Sequence, residues 1–204
     1  MSKTQESGVR SQKSVTTGRV VVISGPSGVG KSTICRELVR RLDRAYLSVS
    51  ATTRPRTPTE VDGKDYWFIT RHEFERRIKQ GLFLEYAEVF GNLYGTPRDA
   101  IDEALSEGRT VILEIDVQGG RQAKQAFPGA TMIFILPPQG RTLQRRLAGR
   151  GRDDEATVQR RLAKAEQEMT VAKTCYDHFV VNDELDKTIN EIVEIMTAGT
   201  SSAE

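Results

Sequence analysis

The eight residues Gly25-Pro26-Ser27-Gly28-Val29-Gly30-Lys31-Ser32 constrain this chain more tightly than any other stretch. They fit the pattern G-x-x-x-x-G-K-[ST], and they join a β-branched run, Arg19 to Ser24, to a segment of helical periodicity, Lys31 to Leu42. A strand that feeds a helix through such a loop builds an anion cradle. The glycines let main-chain N–H groups converge on phosphate oxygens and the helix N-terminus adds its positive end. Lys31 supplies a mobile cation, and the Ser32 hydroxyl can ligate Mg2+. A triphosphate suits this chemistry, held by Gly25 through Ser32 and the adjoining Thr33. The plainer alternative is a glycine-rich turn that binds nothing.

Beyond this junction the alternation continues: Val111 to Asp116, a helical stretch near Gln118 to Ala126, then Thr131 to Leu136 and further helices. It predicts an α/β fold of the P-loop NTPase type, a parallel sheet sandwiched by helices. A length of 204 residues favours one domain, or one domain with lobes. With 37% hydrophobic and 28% charged residues the chain can bury a core, which excludes wholesale disorder. Thirty basic residues against 28 acidic ones leave +2, too little for a general nucleic-acid or membrane surface. The longest apolar runs, Val20 to Ile23 and Met132 to Leu136, fall far short of the roughly 18 residues of a membrane span, and no secretory signal is expected. Cys35 and Cys175 show no paired spacing, and His72 and His178 are the only histidines, so no zinc site is expected. Both cysteines read as packing residues in a reducing, cytoplasmic setting.

Residues 1–17 read as a flexible N-terminal tail, rather than a transit peptide, and 197–204 as a second tail. The folded domain is placed at 18–196, with a core of 18–49, 98–137 and 174–196, an inserted lobe at 50–97 and a helical lid at 138–173. Within the lobe, Thr70 and Glu73 form a capping box and Gly81 ends the helix. Another helix is expected to start at Thr96-Pro97 and stop at Gly108, and two more to flank Gly149-Arg150-Gly151. Phe179 to Val181 reads as a short strand and Asn182-Asp183 as a turn before a closing amphipathic helix.

Glu114 and Asp116, two apart on a strand, should share a face at its carboxyl edge, where open α/β sheets bind ligands. There they could orient Mg2+ waters or bind a substrate hydroxyl, or be solvated strand-end acids. Arg146 and Arg150 are spaced i, i+4, with Arg161 eleven residues further on. Phosphoryl transfer needs positioned cations, and these three could converge on one site, the alternative being a solvated arginine face.

Several segments in order resemble guanylate kinase: Ser48-Val49-Ser50-Ala51-Thr52-Thr53-Arg54, Glu60-Val61-Asp62-Gly63-Lys64-Asp65-Tyr66, Phe83-Leu84-Glu85-Tyr86-Ala87-Glu88, Gly91-Asn92-Leu93-Tyr94-Gly95-Thr96, Ile112-Leu113-Glu114-Ile115-Asp116-Val117-Gln118-Gly119 and Arg146-Leu147-Ala148-Gly149-Arg150-Gly151. The likeness spans about Arg19 to Met196. It implies a GMP-binding lobe, a lid, and transfer of phosphate from ATP to GMP and dGMP. On the matching positions, Ser50, Glu85 and Thr96 would meet the guanine base, with a helix N-cap as Thr96's rival role. Arg54, Tyr66 and Tyr94 would hold the GMP phosphate, Glu114 and Asp116 would complete that site, and Ser32 with Asp116 would hold Mg2+. Lys31, Arg146, Arg150 and Arg161 would stabilise charge during direct in-line transfer, with no covalent nucleophile. The family pattern T-T-R-x-P-R has its second arginine three residues after the first. Here Arg56 comes after two and Thr57 stands in the expected place, so Arg56's contact with phosphate is less secure. ATP and GMP are the expected partners of a monomer or homodimer that binds neither nucleic acid nor membrane. The alternatives are a non-catalytic phosphopeptide-binding scaffold of the same fold, or a P-loop kinase for another phosphorylated small molecule.

Overall fold

The computed structural model describes residues 18–138 and 155–198, without the side chains of 155–162. At its centre is β1 (Arg19–Ser24), buried after its first residue. It sits in a five-stranded sheet with β2 (Ala45–Leu47), β7 (Thr110–Glu114), β8 (Thr131–Leu136) and β9 (His178–Val181), in the order β2-β7-β1-β8-β9. Every pairing in it is parallel. Such strands are covered on both faces, and β1 shows how. Val20 and Val22 face a core with Leu113, Met132 and Phe134, closed by α3 (Asp99–Ser106), α4 (Val117–Ala126) and α5 (Glu155–Ala172). Val21 and Ile23 face the other core with Ile112, Ile133 and Ile135, closed by α1 (Lys31–Arg41) and α6 (Leu185–Ala198). Each such side chain contributes roughly 1.5–3 kcal/mol by leaving water, so the central strand is the best-anchored part of the molecule.

A second sheet lies within 51–97: β3 (Ala51–Thr52), β4 (Trp67–Phe68), β5 (Phe83–Val89) and β6 (Asn92–Pro97), ordered β4-β3-β6-β5. The β5–β6 hairpin turns at Phe90-Gly91, both left-handed (φ 50° and 78°), as a tight hairpin twist requires. Its small core is built on Phe74 of α2 (Arg71–Lys79), whose ring stacks on Phe83 at 4.4 Å. Gly95 makes room, since a β-carbon there would lie 2.9 Å from Phe74 Cζ.

Three expectations need correction. The capping box is half-formed: Thr70 Oγ1 accepts from Glu73 N at 3.2 Å, but the Glu73 carboxylate turns to Arg76 and Arg77. Thr96 and Pro97 end β6, and α3 starts only at Asp99 after Arg98, because the pairing of β6 with β5 keeps both residues in the sheet. Asp116 lies beyond β7, which stops at Glu114. Its side chain caps α4 by accepting from Gly119 N at 2.9 Å.

Replacing Phe74 by alanine should cost roughly 3–5 kcal/mol. Hydrogen exchange should then accelerate in β3, β5 and β6 while β1 and β7 stay protected; uniform acceleration would show that the small sheet has no separate core.

Candidate active site

β1 delivers the chain into the glycine loop at its carboxyl end. A β-carbon on Gly25 would sit 2.5 Å from the Ile135 carbonyl oxygen of β8, so the loop presses on the neighbouring strand. Gly28 (φ 80°) and Gly30 (φ 105°) are left-handed, a geometry other residues resist. Asn182, expected as part of a turn and possible helix N-cap, donates from Nδ2 to the Val29 carbonyl at 2.7 Å and is itself steadied by Thr188 Oγ1. The helix that follows has neither a side-chain cap nor an acid in its first turn, so its leading N–H groups keep their positive field for an anion.

Lys31 Nζ donates to the carbonyls of Gly25 (2.6 Å) and Pro26 (3.1 Å), leaving one of its three N–H groups for another acceptor. Burial lowers its ammonium pKa, opposed mainly by Glu114 and Glu168. Ser32 Oγ donates to Glu114 Oε1 at 2.6 Å. Beneath the loop, Tyr176 donates to Ser24 Oγ (2.6 Å), which donates to the Ile115 carbonyl (2.7 Å). The Ser32 hydroxyl beside the Glu114 carboxylate, with Asp116 two residues further along the chain, is a hard oxygen set that fits Mg2+. That cation takes few protein ligands and fills its shell with water and phosphate oxygens. Among the described residues no cluster of three or more acidic, histidine or cysteine side chains forms a self-sufficient metal cage.

The second sheet supplies the other wall. Glu85 of β5 is paired in register with Thr96 of β6, and Thr96 Oγ1 donates to Glu85 Oε1 at 2.5 Å. Ser50 precedes β3, whose Ala51 pairs with Gly95; continued by one residue, that register sets Ser50 beside Thr96. Glu85 is 5% exposed, and burial pushes its carboxyl pKa up to about 7, with the Thr96 bond opposing and Asp116 reinforcing. Gly119 of α4 is what admits it, because a β-carbon there would lie 2.4 Å from Glu85 Oε2.

Next along the sheet, the Arg54 guanidinium lies over the rings of Tyr66 (5.5 Å) and Phe68 (5.6 Å), and Tyr66 meets Tyr94 edge-on at 5.9 Å. Burial lifts the Tyr66 phenol pKa to about 12, with the Glu114 charge adding to the shift across the cleft. Arg56 stands apart, exposed, with Nη1 3.4 Å from the Glu60 carbonyl. Arg146 and Arg150 lie outside the described residues; Arg161 belongs to α5, but its side chain also lies outside them. That helix does bring Glu168 near the site, with its carboxyl pKa raised by burial and Lys164 Nζ 3.7 Å away. Cys35 is buried and its thiol pKa lies well above the usual range, chiefly through burial, as a packing role requires.

These features define a P-loop α/β protein with a phosphate loop at the carboxyl edge of its central sheet and a second polar site facing it. A sequence profile for guanylate kinase matches residues 17–199. The guanylate kinase of Synechocystis sp. is 48% identical over 179 residues, covering 88% of this chain and 93% of its own length. That of Thermosynechococcus vestitus is 50% identical over 172 residues, covering 84% and 90%. The crystal structure of guanylate kinase from Anaplasma phagocytophilum matches with a TM-score of 0.75 and 32% identity, over 92% of this chain and 89% of that one. The chain belongs to the guanylate kinase family.

Glu85 links the site to stability. Its folded pKa of about 7 exceeds the ordinary 4.5, so its contribution to folding is complete below about pH 4.5 and is lost as pH rises through 7. The unliganded Glu85→Gln variant, neutral throughout, should therefore melt higher than wild type at pH 8.5 by on the order of 5 °C, with the gap closing toward pH 5. A gap independent of pH would rule out an ionising, buried Glu85.

Proposed function

We propose that this protein transfers the γ-phosphoryl group of ATP to GMP, and to dGMP, giving ADP and the guanosine diphosphate. The observation that carries this reading is the buried Glu85–Thr96 pair beside the Arg54–Tyr66–Tyr94 cluster, both set against a phosphate loop. Guanine presents two N–H donors on its Watson–Crick edge, and an ionised Glu85 accepts both, with Ser50 and Thr96 completing the contact. Adenine would leave that buried acceptor badly paired, which is how a site built on hydrogen bonds rejects an analogue. In this reading residues 50–97 form the GMP-binding lobe and 138–173 the lid.

The loop from Gly25 to Thr33 holds the ATP phosphates by its main-chain N–H groups. The third N–H of Lys31 reaches the group in transit. Glu114 and Asp116 orient the ligands between the two walls. When bound at Ser32 with Asp116, Mg2+ supplies neutralisation of the triphosphate oxygens. An oxygen of the GMP phosphate attacks the γ-phosphorus in line. The bond to the β,γ-bridging oxygen breaks, and its electron pair leaves with ADP. Lys31, Arg146, Arg150 and Arg161 offset the migrating charge, so the protein contributes position and field rather than a covalent intermediate. The same chemistry needs neither nucleic acid nor membrane. Among the described residues no helix is long and apolar enough to cross a bilayer. The two free cysteines fit a reducing cytoplasm, and a monomer or a homodimer would serve equally.

An ADP-release assay across GMP, dGMP, AMP, CMP and UMP should show turnover with the two guanine nucleotides alone; comparable turnover with AMP would remove Glu85 from base recognition. In the same assay Lys31→Ala should lower kcat by roughly 10², and near-wild-type turnover would contradict its assignment.

A further inference from the structure

The Glu60 carboxylate, outside both the phosphate loop and the Glu85 pocket, accepts four hydrogen bonds. Arg54 donates from Nη1 at 3.0 Å and Nη2 at 2.6 Å. Thr57 donates from its main-chain N and from Oγ1, each at 2.8 Å and each to Oε2. Thr57 is the residue that stands where the family pattern has a second arginine. The ion pair is mostly out of water, with the two side chains 25% and 20% exposed, so solvent screens it only partly.

A carboxylate so placed could act as a stand-in anion that a phosphate must displace, or as a brace. The donor count decides between them. A guanidinium carries five N–H donors in a planar fork with two edges that can each grip an oxyanion pair. Glu60 takes the Nη1–Nη2 end, and the Pro55 carbonyl takes a further Nη1 bond at 2.8 Å. Nε and the second N–H of Nη2 are not used by Glu60, the Tyr94 hydroxyl is a further hydrogen-bond partner of the guanidinium, and the group lies over the rings of Tyr66 and Phe68. Thr57 in turn keeps the Glu60 carboxylate from following a departing arginine.

We infer that Glu60, locked by Thr57, is a positioning residue that holds the end of the Arg54 guanidinium so that its Nε–Nη2 edge faces the phosphate of GMP. This rests on the reading of the site given above. It assigns Thr57 a task in place of the missing arginine: it steadies the one remaining arginine of the cluster.

The test uses the full chain and two probes, GMP and guanosine, which differ by the phosphate. Calorimetric titration of Glu60→Gln, which keeps the shape and removes the charge, should show GMP affinity reduced roughly tenfold, with guanosine affinity within about twofold of wild type. In kinetics the KM for GMP should rise while kcat changes little. Thr57→Val should weaken GMP binding by about threefold in the same selective way. Tighter GMP binding in Glu60→Gln would overturn the proposal in favour of a competing anion. Equal weakening of GMP and guanosine would overturn it in favour of a general structural role. If wild-type protein showed no saturable GMP affinity, the reading of the whole site would fail first, and this assignment with it.

Discussion

At Gly30 the backbone takes φ 105° and ψ 15°, turned against Asn182 so closely that any β-carbon would lie 2.6 Å from its Nδ2. That left-handed residue lets α1 begin at once, aimed back along the loop, with no side chain occupying its N-terminus. The position of the turn is fixed from three sides. Ile135 bounds Gly25, Asn182 holds the Val29 carbonyl, and the Tyr176–Ser24–Ile115 chain of hydroxyls pins the end of β1. Each of these belongs to an element on or beside the central sheet, so the strand order β7-β1-β8-β9 is what gathers them. The phosphate loop is therefore rigid because of long-range packing, although its pattern is local.

The second wall depends on a balance of charge across the cleft. Lys31 feels Glu114 and Glu168, Glu85 feels Asp116, and Tyr66 feels Glu114. Burial raises the Glu85 and Glu168 carboxyl pKa values and the Asp116 charge adds to both, while Glu114 and Glu168 oppose the loss of charge at Lys31. Arg54 is already ordered by the Glu60 carboxylate and Lys31 by the Gly25 and Pro26 carbonyls, so the cost of ordering these long side chains has been met during folding. Besides the packing of Glu85 on Gly119 and of Leu84 on the main core, polar contacts between the walls among the described residues include Arg36 to Asp65, Gln122 to the Tyr86 carbonyl, and Lys164 over the Phe90 ring. Single polar contacts of this kind are worth little individually, so the packing of β5 on α4 is the main tie between the walls.

The large sheet was legible because strands buried on both faces are written as continuous apolar runs, and Val20 to Ile23 and Met132 to Leu136 are such runs. The small sheet was not. β3 and β4 are two residues long, and β5 buries Phe83, Glu85 and Ala87 on one face, so its alternation places a charge where an apolar residue would signal a strand. Thr96-Pro97 carried a helix-start signal that β6 overrode by pairing. The phosphate loop could be read from spacing alone. Asn182, Tyr176 and Gly119 could not, because the first two act on residues 153 and 152 positions away and the third on an opposing lobe. Asp116 was read on the right edge but for the wrong reason, since it caps a helix instead of ending a strand.

Two carboxylates of the same lobe show how environment divides one chemistry into two tasks. Glu60, given four donors, two of them cationic, has its pKa pulled down to about 2, chiefly by the Arg54 bond. Glu85, buried with neutral donors from Thr96 alone, its hydroxyl and its main-chain N–H, and with Asp116 nearby, rises to about 7. The first is fully satisfied and has little to gain from a ligand, so its effect must pass through the arginine it grips. The second has no cationic partner in a dry place, so a ligand offering it two N–H groups would favour its charged form. Binding guanine should thus stabilise the ionised form of Glu85 and draw its pKa downward. In the proposed reading of the site, recognition of the base and release of a proton from Glu85 are then coupled.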